Sequence, residues 1–488
     1  MSTITISNLN FGYEGGVDVF RDVSLNLSTD WRLGLVGRNG RGKTTLLRLL
    51  AGELPHSGAI ASSLKLAYFP FEIPEPGQGA FDNFSLLFPS LKPWRLFGET
   101  SQVGLAESAL YRPVSSLSPG ELAKAKLGCL FALEGVFPLI DEPTGSLDLS
   151  GTRAVAGFLA KKRGFIVASH DRYLLERSCD HVLSIGRQGL EIFKGTFKSF
   201  WERYLESVKS EEKLSQKLSS QILKLTESSR RSAAWAGKAE RGKVGHGPVD
   251  RGFIGHKAAK MAKRAKAVAE RSSKALEEKK AIAWVGEKSP EMSMGPLRFV
   301  AKRLIEARSL SLGYLSEPIV RDLDLTLDSG ERLAIKGPNG SGKSLLMSVL
   351  AGASGRLLSG SLKMPNGLVV SYIPQGLPRY QGHVSGLCRE RGVDEAKVKA
   401  TLNYLGFNLK DLEARAVEMS NGQWRKLLMA LSLAQPAHLY LWDEPLDFID
   451  LHSRAQIEDM IVKSEPSLVF IEHDQAFSDK VATATLDL

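Results

Sequence analysis

Two octapeptides, Gly37-Arg38-Asn39-Gly40-Arg41-Gly42-Lys43-Thr44 and Gly337-Pro338-Asn339-Gly340-Ser341-Gly342-Lys343-Ser344, fit the pattern G-x-x-x-x-G-K-[ST]. Such a loop folds its backbone N–H groups around phosphate oxygens at a helix N-terminus. Lys43 or Lys343 then reaches the β- and γ-phosphates, and Thr44 or Ser344 ligates magnesium. Thr45, next in the chain, belongs to the same phosphate-binding set. One match is weak, because glycine turns are common; two matches in similar strand-loop-helix settings point to nucleotide chemistry.

Two acidic pairs, Asp141-Glu142 and Asp443-Glu444, each end an apolar run, FPLIDE and LYLWDE. The aspartates are placed to hold a magnesium shell, and the glutamates to orient or deprotonate an attacking water. A single such pair reads equally well as a helix cap after a strand. His170 and His473 close a third apolar run, in FIVASH and LVFIEH, and are candidates to contact the γ-phosphate. A lone histidine there is more often structural, so its weight comes from its duplication.

The elements that position these residues occur twice. VFRDVSLNL from Val19 returns as IVRDLDLTL from Ile319, GLVGRNGRGKTTLLRLLAG from Gly34 as AIKGPNGSGKSLLMSVLAG, IDEP as WDEP, and SHD as EHD. The offset stays between 300 and 303, so two homologous domains of about 190 residues flank an insert of about 100. Each copy reads as α/β. Short alternating strands lead to a buried strand, Arg32 to Val36 or Arg332 to Lys336, then the glycine loop and a helix from Lys43 or Lys343. Functional loops at the C-terminal tips of strands are usual for nucleotide sites on a mostly parallel sheet.

The chain has 488 residues with 64 Lys and Arg against 54 Asp and Glu, a formal charge of +10. Residues 205–290 hold 20 basic and 10 acidic residues, and the other 402 are formally neutral. The surplus therefore sits in one central anion-binding stretch. Length and composition exclude a disordered chain, a collagen-like repeat and a small disulfide scaffold. Cys129, Cys179 and Cys388 show no CxxC or CxxH spacing, so neither a disulfide framework nor a zinc site is expected, and a reducing cytosol fits. The first residues carry no basic and apolar signal regions, and no apolar run approaches the ~18 residues of a membrane helix. A cytoplasmic protein is expected.

Within the insert, Leu205, Val208, Leu214, Leu218, Ile222 and Leu225 recur at helical spacing, as do Met261, Ala265, Val268 and Leu276. Between them, residues 237–256 hold six glycines and a proline. The pattern predicts an antiparallel helical hairpin with a flexible tip, its first helix of about 36 residues running roughly 54 Å. A solvated charged coiled coil is the plain alternative. Against it, the charges are unbalanced, and Arg241, Lys243 and Arg251 interleave with Trp235, His246 and Phe253. Basic groups neutralise phosphate while aromatic planes stack on unpaired bases, a pattern suited to structured RNA.

Between phosphate loop and acidic pair lie Leu117-Ser118-Pro119-Gly120-Glu121 and Met419-Ser420-Asn421-Gly422-Gln423, each before a helical stretch. Both halves thus resemble ATP-binding cassettes, with LSPGE and MSNGQ in place of the family's LSGGQ signature. The resemblance implies an α/β fold of two tandem P-loop NTPase domains (1–200 and 301–488) joined by a helical-hairpin linker (201–300). The cassettes would pair head to tail within a monomer around ATP and Mg2+. One composite site would join Lys43, Thr44, Asp141, Glu142 and His170 to Ser420 and Gly422. The other would join Lys343, Ser344, Gln375, Asp443, Glu444 and His473 to Ser118 and Gly120. Glu121 and Gln423 complete the signatures, and Tyr13 and Tyr314 match the aromatic that stacks on adenine; singly, each Tyr reads as ordinary packing. The family's loop glutamine is Gln375 in SYIPQ, but the first half has Phe71 in AYFPF. Unequal hydrolysis is expected, with both sites able to turn over.

Two cassettes joined by a basic hairpin resemble the ABC-F class of translation proteins. YFPFE, KGTFKSFWERY, GFIGHKAAKMAKRAK, MSNGQWRK and HLYLWDEPLDFID are similar to the Lsa and Vga type of ribosome protection proteins. The spacings Phe71 to Ser118 and Gln375 to Ser420, 47 and 45 residues, imply no extra arm in the first cassette. Only 15 residues follow His473, so no basic C-terminal extension is expected. The resemblance implies binding at the E site of the bacterial 70S ribosome, near 23S rRNA and the P-site tRNA, and displacement of lincosamides, streptogramin A or pleuromutilins. A housekeeping factor for stalled ribosomes, the ATPase subunit of a transporter, and a DNA-repair ATPase are the competing readings.

Overall fold

The computed structural model describes the chain except residues 1, 14–17, 187–188, 211–212, 214–216, 218–219, 221–226, 228–291, 314–316, 354, 377–378, 408–411 and 413–414. Met1–Phe200 and Pro290–Leu488 form one compact unit, and Trp201–Ser289 a second.

In the first half, β1 (Thr3–Gly12) pairs antiparallel with β2 (Asp18–Ser28) and with β4 (Ser57–Ser62). β3 (Arg32–Gly37) leads into α1 (Lys43–Leu50) and, past β4, to β5 (Lys65–Phe69). A helical segment follows, α2 (Ala80–Leu87), α3 (Pro93–Gln102), α4 (Glu107–Tyr111) and α5 (Pro119–Ala132). The chain then alternates: β6 (Val136–Asp141), α6 (Leu149–Ala160), β7 (Phe165–Ala168), α7 (Arg172–Ser178), β8 (His181–Ile185) and β9 (Leu190–Lys194). The main sheet runs β5-β6-β7-β3-β8-β9, parallel except for β9. Every residue of β7 is buried, which is why FIVA is apolar throughout instead of alternating.

The second half repeats this plan. β10 (Arg303–Gly313) pairs antiparallel with β11 (Val320–Asp328) and β13 (Arg356–Lys363). β12 (Arg332–Lys336) leads into α8 (Lys343–Leu350). After β14 (Val370–Ile373) come α9 (Val384–Glu390), α10 (Glu395–Tyr404) and α11 (Asn421–Ala434). β15 (Leu439–Asp443), α12 (Leu451–Ser464), β16 (Leu468–Ile471), α13 (Gln475–Val481) and β17 (Ala484–Asp487) end the chain. The sheet order is β14-β15-β16-β12-β17, all parallel.

α1 shows how the sequence positions the first phosphate loop. Leu46, Leu47, Leu49 and Leu50 are buried between the two sheets of the first half. The helix stops where Gly52 turns left-handed (φ 76°) and its N–H returns to the Leu49 carbonyl at 3.1 Å. Truncating fully buried Leu47 to Ala would cost about 2–5 kcal/mol and loosen the loop that the helix carries.

Residues 201–210 are helical, as are the isolated positions 213, 217, 220 and 227. Trp235, Arg241, Lys243, His246, Arg251 and Phe253 lie outside the described residues. The last part of the expected linker belongs elsewhere: Met294 is buried in the core of the second half, and Leu297 donates its N–H to the Ala437 carbonyl at 2.8 Å. MSMGPLRFV packs apolar side chains with no helical period, so periodicity places the boundary too late. The three cysteines are free and buried.

Candidate functional site

Both phosphate loops turn left-handed at the glycine before the lysine, with φ 92° at Gly42 and 98° at Gly342. A Cβ at Gly42 would sit 2.6 Å from Val19 Cγ1, and one at Gly342 2.5 Å from Val320 Cγ2. Conformation and space thus both demand glycine here. Lys43 is buried and its Nζ donates to the Gly37 carbonyl at 2.8 Å. Lys343 Nζ donates to the carbonyls of Gly337 (3.0 Å) and Pro338 (2.7 Å). Burial lowers the pKa of both lysines against the pull of the acidic pairs, chiefly Glu142 and Glu444.

Glu142 and Glu444 adopt φ of 45° and 50°, a region few non-glycine residues enter. That turn lets the Glu142 N–H donate to the Ala168 carbonyl (2.9 Å) and the Glu444 N–H to the Ile471 carbonyl (3.0 Å). Each glutamate is thereby fastened to the strand that ends at a histidine. His473 Nε2 lies 3.2 Å from Glu444 Oε1, and Gln375 Nε2 donates to Glu444 Oε2 at 2.8 Å. Burial would raise this carboxyl, but the bonds from His473 and Gln375 outweigh it and hold it below the usual carboxylate range. The bond to Glu444 in turn raises His473.

The first half is arranged differently. Glu142 Oε2 accepts from the His170 N–H at 3.3 Å, and His170 Nε2 is 3.1 Å from Asn39 Oδ1. Protein crowds Glu142 within the cleft and limits its hydration, pushing the carboxyl up to about 7 despite Lys43. Phe71, in the place of Gln375, packs edge-on against Phe84 and Phe88, and its carbonyl accepts from Lys126 Nζ at 2.6 Å. Asp141 Oδ2 accepts from the Tyr68 hydroxyl at 3.0 Å.

The halves meet head to tail. Arg38 Nη2 donates to the Tyr404 carbonyl at 2.7 Å, and Asn39 Nδ2 donates to the Phe448 carbonyl. Asp450 and Lys426 act electrostatically on Lys43, and Asp148 on Lys343. Phe448 also borders Gly422, where a Cβ would lie 3.3 Å from its own. The signature helix of the second half therefore faces the first phosphate loop. Sequence reading missed Tyr404, Lys426, Phe448 and Asp450; for Asp450 the signal was the aspartate that recurs seven residues after Asp141 and Asp443 as Asp148 and Asp450.

The signature serines first serve their own helices. Ser118 caps α5 and exchanges bonds with Glu121, whose carboxylate accepts the Ser118 N–H at 2.8 Å. Ser420 and Gln423 do the same for α11. Gly120 lies against the Ser146 carbonyl, where a Cβ would approach to 3.2 Å. The Tyr13 hydroxyl is 3.0 Å from Thr45 Oγ1, and the residue is half exposed beside α1. Tyr314 lies outside the described residues. Gly40 and Gly340, with φ 77° and 84°, shape the loop tips between Arg41 or Ser341 and Asn39 or Asn339.

A family model for the ABC transporter matches residues 20–145 and 320–447, more than half of the chain. The chain belongs to the ABC transporter family of ATP-binding cassette proteins. It is an ATPase that uses ATP and Mg2+, and no helix among its described residues is long and apolar enough to cross a membrane. It is 26% identical to the ribosome protection protein VmlR of Bacillus subtilis, over 99% of this chain and 86% of that one. It is also 26% identical to the ATP-binding protein Uup of Caulobacter vibrioides, over 97% of this chain and 75% of that one. These relatives are ABC-F proteins. Among solved structures, an archaeal ribosome recycling factor in complex with a ribosomal stalk protein superposes with a TM-score of 0.61 at 20% identity, covering 94% of this chain and 84% of that one.

The cassette residues fit a divalent cation. Both Asp443 oxygens are enclosed with the Ser344 side chain as their near polar neighbour, and burial pushes this carboxyl up to about 6 against that contact. A buried carboxylate with so little hydrogen bonding is costly unless a cation takes its charge. Ser344, in the first turn of α8, stands beside it. Thr44 occupies the equivalent position on α1.

Proposed function

We propose that this ABC-F ATPase binds the bacterial ribosome at the E site with ATP between its cassettes and directs the basic linker toward the peptidyl transferase centre. There the linker tip shifts the P-site tRNA and adjacent 23S rRNA, and a bound lincosamide, streptogramin A or pleuromutilin leaves. The observation that carries the reading is the match to VmlR, which runs through the basic linker as well as both cassettes and covers 99% of this chain. The concentration of the whole charge surplus in residues 205–290 supports an RNA-facing linker.

In this reading Thr44 with Asp141, and Ser344 with Asp443 and Gln375, hold Mg2+, which when bound neutralises charge on the β- and γ-phosphate oxygens. Lys43 and Lys343 exchange their carbonyl partners for phosphate. Glu142 and Glu444 orient the attacking water and take its proton, and His170 and His473 orient the glutamates and meet the γ-phosphate. Tyr13 and Tyr314 carry adenine. Ser420 with Gly422, and Ser118 with Gly120, present helix N-termini to the γ-phosphate from the opposite cassette. ATP favours the closed pair, and hydrolysis at either site releases the protein.

The test is sedimentation of a Glu142→Gln, Glu444→Gln chain with 70S ribosomes and ATP. Comigration is expected, and its failure would remove both translation readings. Expression in a susceptible bacterium then separates resistance from a housekeeping role: the inhibitory concentration of a lincosamide should rise, and an unchanged value leaves the housekeeping factor.

A further inference from the structure

α12 of the second cassette carries Arg454 and Glu458 one turn apart, and both side chains reach the loop that holds His170 in the first cassette. Arg454 Nη1 donates to the His170 carbonyl at 3.3 Å. Two residues on, Arg172 Nη2 lies 2.7 Å from Glu458 Oε1, an ion pair by distance that is not aligned as a hydrogen bond, with both side chains largely buried. Arg454 is also anchored at home: Nε donates to the Ile449 carbonyl (2.9 Å), Nη2 to the Leu446 carbonyl (3.0 Å), and Nη1 pairs with Asp474 Oδ2 at 3.3 Å. Glu458 is likewise backed by Lys480 Nζ at 3.1 Å. Between these two bridges Asp171 approaches Asp474, and Arg454 offsets this like-charge pair.

At the equivalent positions of the reciprocal side these charged groups are replaced. The repeat places Thr152 and Ala156 on α6 where α12 has Arg454 and Glu458, and Gln475 where the first cassette has Arg172. None of these three can form an ion pair. The bridge is therefore built on one side of a doubled structure, and the loop it grips holds the histidine that touches Glu142 and Asn39.

We propose that Arg454 and Glu458 form a one-sided clamp through which the second cassette positions His170 and sets the turnover of the first ATP site. Arg454, Glu458 and Arg172 are positioning residues, acting through the His170 loop. A buried charge pair is a poor source of net stability but a strong positional constraint, because moving either charge away leaves the other buried and uncompensated. The clamp also explains how the first site can work with Phe71 in place of the loop glutamine. Where the second site orients Glu444 through Gln375, the first has the Ser169 hydroxyl at 3.4 Å and, through the His170 loop, the grip of the opposite cassette. This inference rests on the assignment of Glu142 as the water-orienting group of the first site.

The test is single-turnover ATP hydrolysis in two backgrounds, Glu444→Gln to leave the first site and Glu142→Gln to leave the second. Glu458→Gln and Arg172→Gln should each slow the first site roughly ten- to a hundredfold, the scale expected for a misplaced catalytic group, and leave the second within about twofold. Arg172→Lys should recover most of the loss. Equal slowing of both sites, an unchanged first site, or a lysine variant as slow as the glutamine variant would each overturn the clamp. Failure of the Glu142 assignment is separable: it appears, with the clamp intact, as turnover that survives in the Glu142→Gln, Glu444→Gln chain, and it takes the inference with it.

Discussion

Gln375 donates its side-chain amide to Glu444 at 2.8 Å, whereas Phe71, its counterpart in the other half, points its ring into the apolar pair Phe84 and Phe88. The two ATP sites thus differ in how the glutamate is held, not only in which residues are present. Glu444 is gripped by Gln375 and His473, while Glu142 accepts from the Ser169 hydroxyl at 3.4 Å and the His170 N–H at 3.3 Å, with the His170 ring 3.5 Å away.

Restoring the amide at position 71 should therefore not restore a symmetric site. Phe71→Gln removes the edge-on packing with both rings and leaves an amide among apolar groups, at a cost of about 1–3 kcal/mol. The expected result is a melting temperature lower by several degrees, with first-site single turnover within about twofold of the parent. A clear gain in that rate would show that the amide reaches Glu142 instead.

Glu121 supplies a negative charge where the other signature has the neutral Gln423. The N–H of Ser118 holds its carboxyl below the usual carboxylate range, with Arg112 Nη1 3.1 Å away. Glu121→Gln keeps the capping arrangement that Gln423 makes and removes a charge that would face triphosphate. ATP affinity of the second site, measured in a Lys43→Ala chain by titration with a fluorescent ATP analogue, should rise about two- to tenfold. A fall in affinity would contradict the placement of this helix end at the nucleotide.

Glu472 replaces Ser169 of the first half and sits among Arg454, Asp447 and Asp474. Lost hydration pushes its carboxyl up to about 8. A carboxyl raised in the folded state favours folding below its unfolded value and loses that contribution as pH rises toward 8. Stability should decline over that window, and Glu472→Gln should flatten the decline by roughly 1–3 kcal/mol. Urea unfolding at pH 5, 6.5 and 8 measures it; parallel curves for the two proteins would exclude Glu472 as the source.

Replacing Arg241, Lys243 and Arg251 with Ala should weaken ribosome binding and reduce the slope of log affinity against log salt by roughly 0.7–0.9 for each phosphate no longer neutralised. Binding at several potassium concentrations provides the slope, and an unchanged value would mean that these residues do not meet phosphate.

Much of the nucleotide machinery was legible because local geometry dictates it. Gly42 and Gly342 need left-handed backbone, Lys43 and Lys343 start helices, and Asp141 and Asp443 end strands, so spacing alone locates them. The capping boxes of Ser118 and Ser420 follow from four consecutive residues. The bonds made by Tyr404, Phe448, Arg454 and Glu458 were not legible, since they depend on how surfaces hundreds of residues apart meet. For Arg454 and Glu458 a trace lay in the mismatches between halves, Thr152 against Arg454 and Ala156 against Glu458, which a search for similarity passes over. The apolar stretch around Met294 was misplaced for the opposite reason: it packs without any period.

Two identical cassettes associating about a twofold axis could not have evolved the pair between Arg172 and Glu458 singly. Any such pair in a homodimer appears once on each side of the axis, and both sites inherit the same change. Duplication on one polypeptide removes that obligation. Selection can then specialise one catalytic centre while the other keeps its ancestral fittings, so a division of labour between the sites became available once the halves shared a chain.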